Sequence, residues 1–125
     1  MTDNPVCMWE ICTEDAEKLA EFYQKAFGWD LQPIPQMNYV NVASGDGTDG
    51  GISGGIFNRQ GEMPSYLTLY VQVDDVDAKA AELKELGANV FVEPTGGEGM
   101  PRYAMFLDPQ GHTMCIINFP KPPDQ

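Results

Sequence analysis

Glu10 is the residue near the start of the chain that is best suited to chemistry. It is a carboxylate within a run that is otherwise apolar and that predicts a strand through Cys7 and Ile11. Burial raises the pKa of a carboxylic acid, and a general base near neutral pH needs such a shift. Glu10 is therefore a candidate catalytic base, but we favour a structural carboxylate that bonds to a neighbouring strand or lies at a dimer contact.

A second predicted strand, residues 66–73, offers polar side chains on one face. Side chains alternate between the faces of a strand, so Thr68, Tyr70 and Gln72 share one face, as Met8 and Glu10 do. The opposite face of the second strand carries only apolar side chains, namely Leu67, Leu69, Val71 and Val73. Apolar faces should meet helices. The mixed faces should then look away from the helices, and in a curved sheet they would line a binding cavity.

Three further residues late in the chain are candidates for a functional role. Arg102 follows a glycine-rich loop, where it could close over such a cavity or, as we favour, be a solvated loop residue. His112 is the only histidine, so no histidine triad or cluster exists, and we interpret it as a strand-end residue near the surface. Cys115 has no partner histidine in evidence, which favours a small buried hydrophobe over a catalytic thiolate.

The segment from Gly45 to Gly50 matches the G-x-G-x-x-G pattern of dinucleotide-binding proteins. That motif requires a helix after it, whereas here a strand pattern follows. Asp46 and Asp49 would also repel a pyrophosphate, and Thr48 and Gly50 do not suit a calcium loop. The segment therefore predicts a flexible turn and no nucleotide or calcium site.

The elements that position these residues occur twice, sixty residues apart. The segment from Ile11 to Glu17 is similar to the segment from Val71 to Asp77, and each opens an amphipathic helix pattern. Gly28 and Gly87 follow the two helices and suit left-handed helix caps. The aromatic residues Trp9, Phe22, Tyr23 and Phe27 are expected to lie in the core. Three strand patterns follow each helix, at residues 29–34, 39–43 and 52–58, then 89–93, 103–107 and 112–119.

The repeat predicts one domain, residues 1–125, that is made of two β-α-β-β-β modules. The first module covers about residues 5–58 and the second about residues 66–119. A polar linker, residues 59–65, joins the modules, and a proline-rich tail, residues 120–125, is expected to be loose.

The charge of the chain excludes several classes of partner. Nineteen acidic and seven basic residues give a net charge of −12, which repels nucleic acids and anionic membranes. Acidic residues crowd both helix starts, where the helix dipole favours them, so part of this charge has a structural reason. No apolar run approaches the roughly 20 residues of a membrane span, and the N-terminus shows no secretory signal.

The cysteines indicate a reducing compartment. There are three, an odd number, with no C-x-x-C pair. Cys7 and Cys12 fall on one predicted strand about 16 Å apart, beyond the reach of a disulfide. The sequence therefore predicts a cytoplasmic protein with free thiols.

The order of several short motifs resembles the vicinal oxygen chelate superfamily, which includes glyoxalases, bleomycin-resistance proteins, fosfomycin-resistance enzymes and extradiol dioxygenases. The motifs are Trp9 to Asp15, Phe22 to Trp29, Val71 to Asp77, Leu86 to Ala88, and Ala104 to His112. The resemblance implies an α+β fold. Two paired β-α-β-β-β modules would form a cup-shaped mixed sheet with helices on its convex side and Cys115 facing the cup. It also implies a homodimer.

The metal enzymes of that superfamily hold a divalent ion with His, Gln or Glu side chains on the cup wall. The resemblance carries these ligand positions onto Met8, Thr68, Cys115 and one residue between Gly51 and Phe57. That last segment has no His, Glu or Asp, and a Met, a Thr and a Cys make a poor set for zinc. We therefore predict no metal site and no cofactor, with a bound divalent metal as the less favoured alternative.

Three functions stay open. We favour a glyoxalase or bleomycin-resistance-like protein that binds a small organic molecule in the cup without a catalytic metal. Its predicted binding residues are Met8, Glu10, Thr68, Tyr70, Gln72, Arg102 and Cys115. The first alternative is a lyase or isomerase of the lactoylglutathione-lyase type that uses a metal or Glu10. The second is a non-catalytic interaction or regulatory domain, which a cup filled by its own side chains would favour.

Overall fold

The computed structural model describes residues 3–62 and 64–119, and the predicted tail, residues 120–125, lies outside these ranges. Eight strands and two α-helices give an α+β fold, as the sequence predicted. The elements are β1 (Val6–Thr13), α1 (Ala16–Phe27), β2 (Asp30–Ile34), a 3-10 turn (Pro35–Met37), β3 (Tyr39–Ala43), β4 (Gly54–Asn58), β5 (Tyr66–Gln72), α2 (Val76–Glu85), β6 (Asn89–Thr95), β7 (Arg102–Leu107) and β8 (Thr113–Asn118).

The described chain divides into two compact units. The N-terminal unit comprises residues 7–68, and the C-terminal unit comprises residues 69–119 together with residues 3–6. The strand order is β2-β3-β4-β1 in the first and β5-β8-β7-β6 in the second. In each unit the leading strand pairs in parallel with the last strand, and the other pairs are antiparallel. The two units therefore share their strand order and pairing, and each has the β-α-β-β-β succession that the repeat predicted.

Both helices begin at equivalent aspartates. The Asp15 side chain accepts a hydrogen bond from the Lys18 amide at 3.1 Å, and Asp75 accepts one from the Ala78 amide at 3.0 Å. Each carboxylate satisfies an amide that the first helical turn leaves without a partner. Gly28 ends α1 with φ of 74°, the left-handed conformation expected of a helix cap. Neither helix in the described ranges is long and apolar enough to cross a membrane.

An asparagine at the end of the last strand ties each unit to the start of its helix. Asn58 accepts a hydrogen bond from the Ala16 amide at 2.8 Å through Oδ1. Asn118, sixty residues later, donates through Nδ2 to the Val73 carbonyl at 2.7 Å. The two side chains use opposite ends of the amide group for the same connection, which the sequence did not predict.

The core of each unit lies between its helix and one face of its strands. Small side chains on the helices let the strands approach closely, with Ala16 and Ala20 buried in one unit and Ala80 in the other. The buried N-terminal core also contains Val40, Val42 and Ile56, and the C-terminal core contains Val73, Val76, Ala104, Phe106 and Ile116. The opposite face of each set of strands is not covered by the helix of its unit and is here called the helix-free face.

Two expectations about burial are wrong. Phe22 and Phe27 of α1 were expected in the core, but they are 59% and 62% exposed. Phe27 is the last residue of the helix, and its ring packs on Trp29, 4.9 Å between centroids, outside the core cluster. Leu67 and Leu69 were expected against a helix and are also exposed, because only the later part of β5 packs against the core that α2 covers.

Candidate functional site

The helix-free face of the N-terminal unit carries two rows of side chains that run across its strands. The pairing register places β3 beside β4 and β4 beside β1, so residues opposite one another form each row. One row is polar except for a glycine and contains Gln32, Asn41, Gly55 and Glu10. The next row contains Ile34, Tyr39, Phe57 and Cys12. Both rows point away from α1, because the alternate residues of β3 and β4 belong to the core under that helix.

Glu10 is buried on this face, with 8% of its surface exposed. The Tyr39 hydroxyl donates a hydrogen bond to Glu10 Oε2 at 2.8 Å. Burial raises the pKa of Tyr39 well above its ordinary value, and the charge of Glu10 and the hydrogen bond to it raise this pKa further. Tyr39 therefore stays protonated at physiological pH and is a permanent donor to the carboxylate.

Gly55 makes room for this contact. A Cβ atom at position 55 would collide with the phenol of Tyr39, which crosses β4 to reach Glu10. The neighbouring Gly54 does the same on the other face, where a Cβ atom would collide with the Trp9 ring. The first two residues of β4 thus have no side chains, and an aromatic residue from another strand fills the space on each side.

Aromatic rings form a wall beside the Glu10 carboxylate. The rings of Tyr39 and Phe57 stack nearly in parallel, with centroids 6.1 Å apart and an angle of 8°. Phe57 meets Tyr66 edge to face at 6.3 Å and 72°. All three rings are half-buried, whereas Thr68, which shares a strand face with Tyr66, is fully enclosed. A planar apolar group could therefore pack on this wall while a polar group of the same molecule meets Glu10.

Three predicted site residues of the C-terminal unit, Tyr70, Gln72 and Cys115, lie on its own helix-free face. Tyr70 of β5 is opposite Cys115 of β8, and Gln72 is opposite Ile117. Tyr70 and Cys115 are buried. Gln72 is half-buried and accepts a hydrogen bond from the Phe119 amide at 3.2 Å. Cys115 has no exposed surface, which is the environment of a small apolar residue.

Arg102 lies on the helix side of its unit and not with Tyr70 and Cys115. Its alternate neighbours on β7, Ala104 and Phe106, pack in the core under α2. The guanidinium donates to both carboxylate oxygens of Asp77 at 2.7 and 2.8 Å, which holds the pKa of Asp77 below its usual value. Arg102 therefore ties β7 to α2. Neither sequence interpretation, a gate over the cup or a solvated loop residue, describes this arrangement.

His112 and the glycine-rich turn have structural roles. The His112 side chain is mostly exposed just before β8, and its Nδ1 lies 3.0 Å from Asp108 Oδ2. The His112 amide also donates to Asp108, which lowers the pKa of that carboxyl. In the turn, Asp46 accepts a hydrogen bond from the Thr48 amide at 2.8 Å. Both segments therefore use their carboxylates to hold local turns.

The sequence did not identify Tyr39, Gly55 or Phe57 as site residues. The available signal was the alternation in β3, where Tyr39 and Asn41 are polar and Val40 and Val42 are apolar. The Gly54-Gly55 pair within a strand was a second signal, since an isolated strand glycine often marks a close approach.

Comparison with known proteins shows the family. The model of the glyoxalase-like domain family matches residues 7–117, nearly the whole chain. The chain belongs to the glyoxalase-like domain family. That family lies in the vicinal oxygen chelate superfamily, as the motifs indicated.

Several relatives share the glyoxalase-like domain. The chain is 28% identical over 111 residues to the protein CFP32 of Mycobacterium bovis, and the match covers 86% of this chain and 41% of CFP32. It is 27% identical over 122 residues to the anthracycline biosynthesis protein DnrV of Streptomyces peucetius, covering 86% of this chain and 44% of DnrV. The chain therefore spans less than half the length of these curated relatives.

A solved structure agrees with the fold of the glyoxalase-like domain. A methylmalonyl-CoA epimerase of Streptomyces coelicolor, in complex with 2-nitronate-propionyl-CoA, superposes with a TM-score of 0.71. The match covers 96% of this chain and 100% of the epimerase, at 18% sequence identity. At this level of identity the likeness shows the fold alone.

The residues at the superfamily's metal positions do not fit a divalent metal in this glyoxalase-like domain. Met8 offers a thioether and Thr68 a hydroxyl that is enclosed by protein, while Cys115 offers a buried thiol in the other unit. β4 supplies only Gly, Ile, Phe and Asn side chains. Within residues 3–62 and 64–119, no group of three His, Cys, Asp or Glu side chains could hold a metal ion. Hard and borderline cations require carboxylate, imidazole or thiolate donors together.

Proposed function

We propose that this glyoxalase-like domain binds a small organic molecule on the helix-free face of its N-terminal unit, without a catalytic metal. The observation that carries the proposal is the buried carboxylate of Glu10, oriented by the hydroxyl of Tyr39, whose ring lies over Gly55. A buried charge is costly unless polar partners compensate it, and such groups concentrate at functional sites. In this proposal Glu10 accepts a hydrogen bond from the ligand and the rings of Phe57 and Tyr66 contact its apolar part.

The chemistry of the face supports an uncharged or cationic aromatic ligand. The two rows contain one carboxylate, two carboxamides and three aromatic or thiol side chains, and no basic residue. The net charge of −12 disfavours polyanions such as CoA esters, although a solved epimerase with this fold binds one. The relative named for anthracycline biosynthesis supports a planar aromatic ligand, which stacked rings accommodate.

A thermal-shift screen followed by calorimetry tests the proposal. The panel contains an anthracycline, smaller planar aromatic compounds that are neutral or cationic, and CoA. A ligand at a hundred times its Kd adds about 2.7 kcal/mol of stability, which for a domain of this size raises the Tm by about 10 °C. We expect such a shift from an aromatic compound and none from CoA.

Variants localise the binding. Glu10→Gln and Phe57→Leu should each lower the affinity for the aromatic compound by about tenfold, since each removes a contact of about 1.4 kcal/mol. Gln72→Leu is a matched control in the other unit and should leave the affinity unchanged. The proposal fails if no compound stabilises the protein, or if both N-terminal variants bind as tightly as the wild type.

A second candidate function, proton transfer by Glu10, has one specific observation in its favour. The carboxylate is buried and its orientation is fixed by the Tyr39 hydroxyl, as a general base requires. The test is proton exchange in deuterium oxide, followed by NMR, for a panel of acids and thioesters with an acidic α-proton. Exchange that Glu10→Gln abolishes and that added metal chelator does not change would support this function; equal exchange by both proteins would contradict it.

The proposal also includes a cytoplasmic location and a homodimer. Within the described residues no disulfide joins Cys7, Cys12 or Cys115, which supports a reducing compartment. Exposed rings of Phe22 and Phe27 give the N-terminal unit an apolar surface that a second copy could bury. Sedimentation equilibrium tests the dimer, and a monomer at every concentration up to the millimolar range would contradict it.

A further inference from the structure

A cavity of about 300 Å³ lies over β2, β3 and the start of β4 in the N-terminal unit. Its lining also includes the small residues Ala43 and Gly54. The polar side chains among its lining residues are Asp30, Gln32, Asn41 and Ser53. This volume is at the lower end of the range for ligand pockets, and it suits one small group of a larger molecule.

The polar side chains of this cavity include one carboxylate, two carboxamides and one hydroxyl. Asp30 contributes the carboxylate, and Gln32 and Asn41, which face each other across the β2–β3 pair, each have an amide oxygen that can accept a hydrogen bond. No Lys or Arg lines the cavity. Among the ion pairs that the described ranges contain, none involves Asp30. A carboxylate and two amide oxygens around a small space suit a donor-only cation such as an ammonium group.

We propose that this cavity binds the protonated amine of the ligand whose aromatic part lies on the wall beside Glu10. The inference rests on the proposed function, because both groups would belong to one molecule on the same face. Gln32, Asn41, Gly55 and Glu10 form one row, and neighbouring strands lie about 4.8 Å apart. Asn41 is therefore about 10 Å from Glu10, a distance that an amine-bearing aromatic molecule can span.

Two small probes of the same shape isolate the contribution of the charge. Benzylamine is protonated at neutral pH, and benzyl alcohol is its neutral counterpart. Titration of the ¹⁵N-labelled protein with each probe is followed through the side-chain amide signals of Gln32 and Asn41, which locates the binding in this cavity. We expect benzylamine to bind at least fivefold more tightly than benzyl alcohol, and to lose affinity as salt rises.

The decisive variant is Asp30→Asn, which removes the charge and keeps the shape. It should lower the affinity for benzylamine by about fivefold, which is the effect of losing one exposed charge pair, and leave the affinity for benzyl alcohol unchanged. Glu21→Gln is the matched control, because it changes the net charge equally from an exposed site on α1. Equal affinities for the two probes, or an equal loss in both variants, would overturn the inference.

The outcome separates this inference from the proposed function. Suppose that Glu10→Gln lowers the affinity for the aromatic ligand, whereas Asp30→Asn changes the affinity for neither the probes nor that ligand. The proposed function then stands and the amine site is wrong. If the probes respond to Asp30→Asn while no aromatic compound depends on Glu10, the cavity binds amines and the proposed function is wrong.

Discussion

Replacement of Gly55 by alanine tests whether the site is built around the Tyr39–Glu10 contact. The new methyl group would collide with the Tyr39 phenol, so the ring must leave or the strands must shift. Losing a hydrogen bond to a charged group costs about 1.5–3 kcal/mol, and overpacking costs about 1–3 kcal/mol. Replacing a strand glycine recovers up to about 1 kcal/mol. We expect a net loss of about 3 kcal/mol, or about 12 °C in Tm.

A double-mutant cycle, with free energies of unfolding measured by urea denaturation, tests the cause of this loss as well as its size. In a Tyr39→Leu background the methyl group at position 55 no longer meets a phenol, so Gly55→Ala should cost less than about 1 kcal/mol. Gly54→Ala is the matched control on the same strand. It collides with Trp9 on the opposite face, so its cost should be the same in both backgrounds.

Two results would refute the reasoning. One is a Gly55→Ala protein whose free energy of unfolding is within about 0.5 kcal/mol of the wild type, the range of ordinary surface substitutions. The other is an equal cost of Gly55→Ala with and without the Tyr39 ring. Either would mean that the phenol does not occupy the space over Gly55.

Three further predictions test other parts of the structure. Tyr39→Phe should make the free energy of unfolding less sensitive to alkaline pH. The raised pKa of Tyr39 contributes stability that is complete below the unfolded value of about 10 and is lost as the pH rises above that value. Urea titrations at pH 8 and pH 11 should show a smaller decline in the variant. Asn58→Ala should lower the free energy of unfolding by about 1 kcal/mol, because the Ala16 amide loses its acceptor; no change would contradict the connection. Arg102→Gln should destabilise the protein at neutral pH, and this difference should shrink as the pH falls below the ordinary Asp value of about 3.9, because the stability from the lowered pKa of Asp77 is lost when that carboxyl is protonated. A pH-independent difference between the two proteins would show that the ion pair is not the cause.

The fold could be predicted because its signals are local and occur twice. Asp15 and Asp75 mark helix starts within a few residues of sequence, and Gly28 marks an end by the same local rule. Most of the site could not be predicted, since its contacts depend on register between strands. Tyr39 reaches Glu10 only because β3, β4 and β1 are paired so that Gly55 lies between them.

The partner of Arg102 could not be predicted from the sequence either. A basic residue after a glycine-rich loop has many possible partners, and only the packing of β7 against α2 selects Asp77. Phe22 and Phe27 follow the spacing of a buried helix face, but the core under α1 is small. Ala16 and Ala20 fill it with Val40, and the two rings lie beyond its edge.

The candidate site lies where the chemistry of the two repeated units differs. Glu10 lies opposite Gly55 in one unit, and the positions sixty residues later pair Tyr70 with Cys115. In the C-terminal unit a tyrosine and a cysteine, both buried, occupy this part of the face. In the N-terminal unit the Tyr39 phenol lies over a glycine at the same place and donates to a buried carboxylate. Since the two units share their strand order and the directions of their strand pairs, folding does not require this carboxylate, and we infer that function accounts for it.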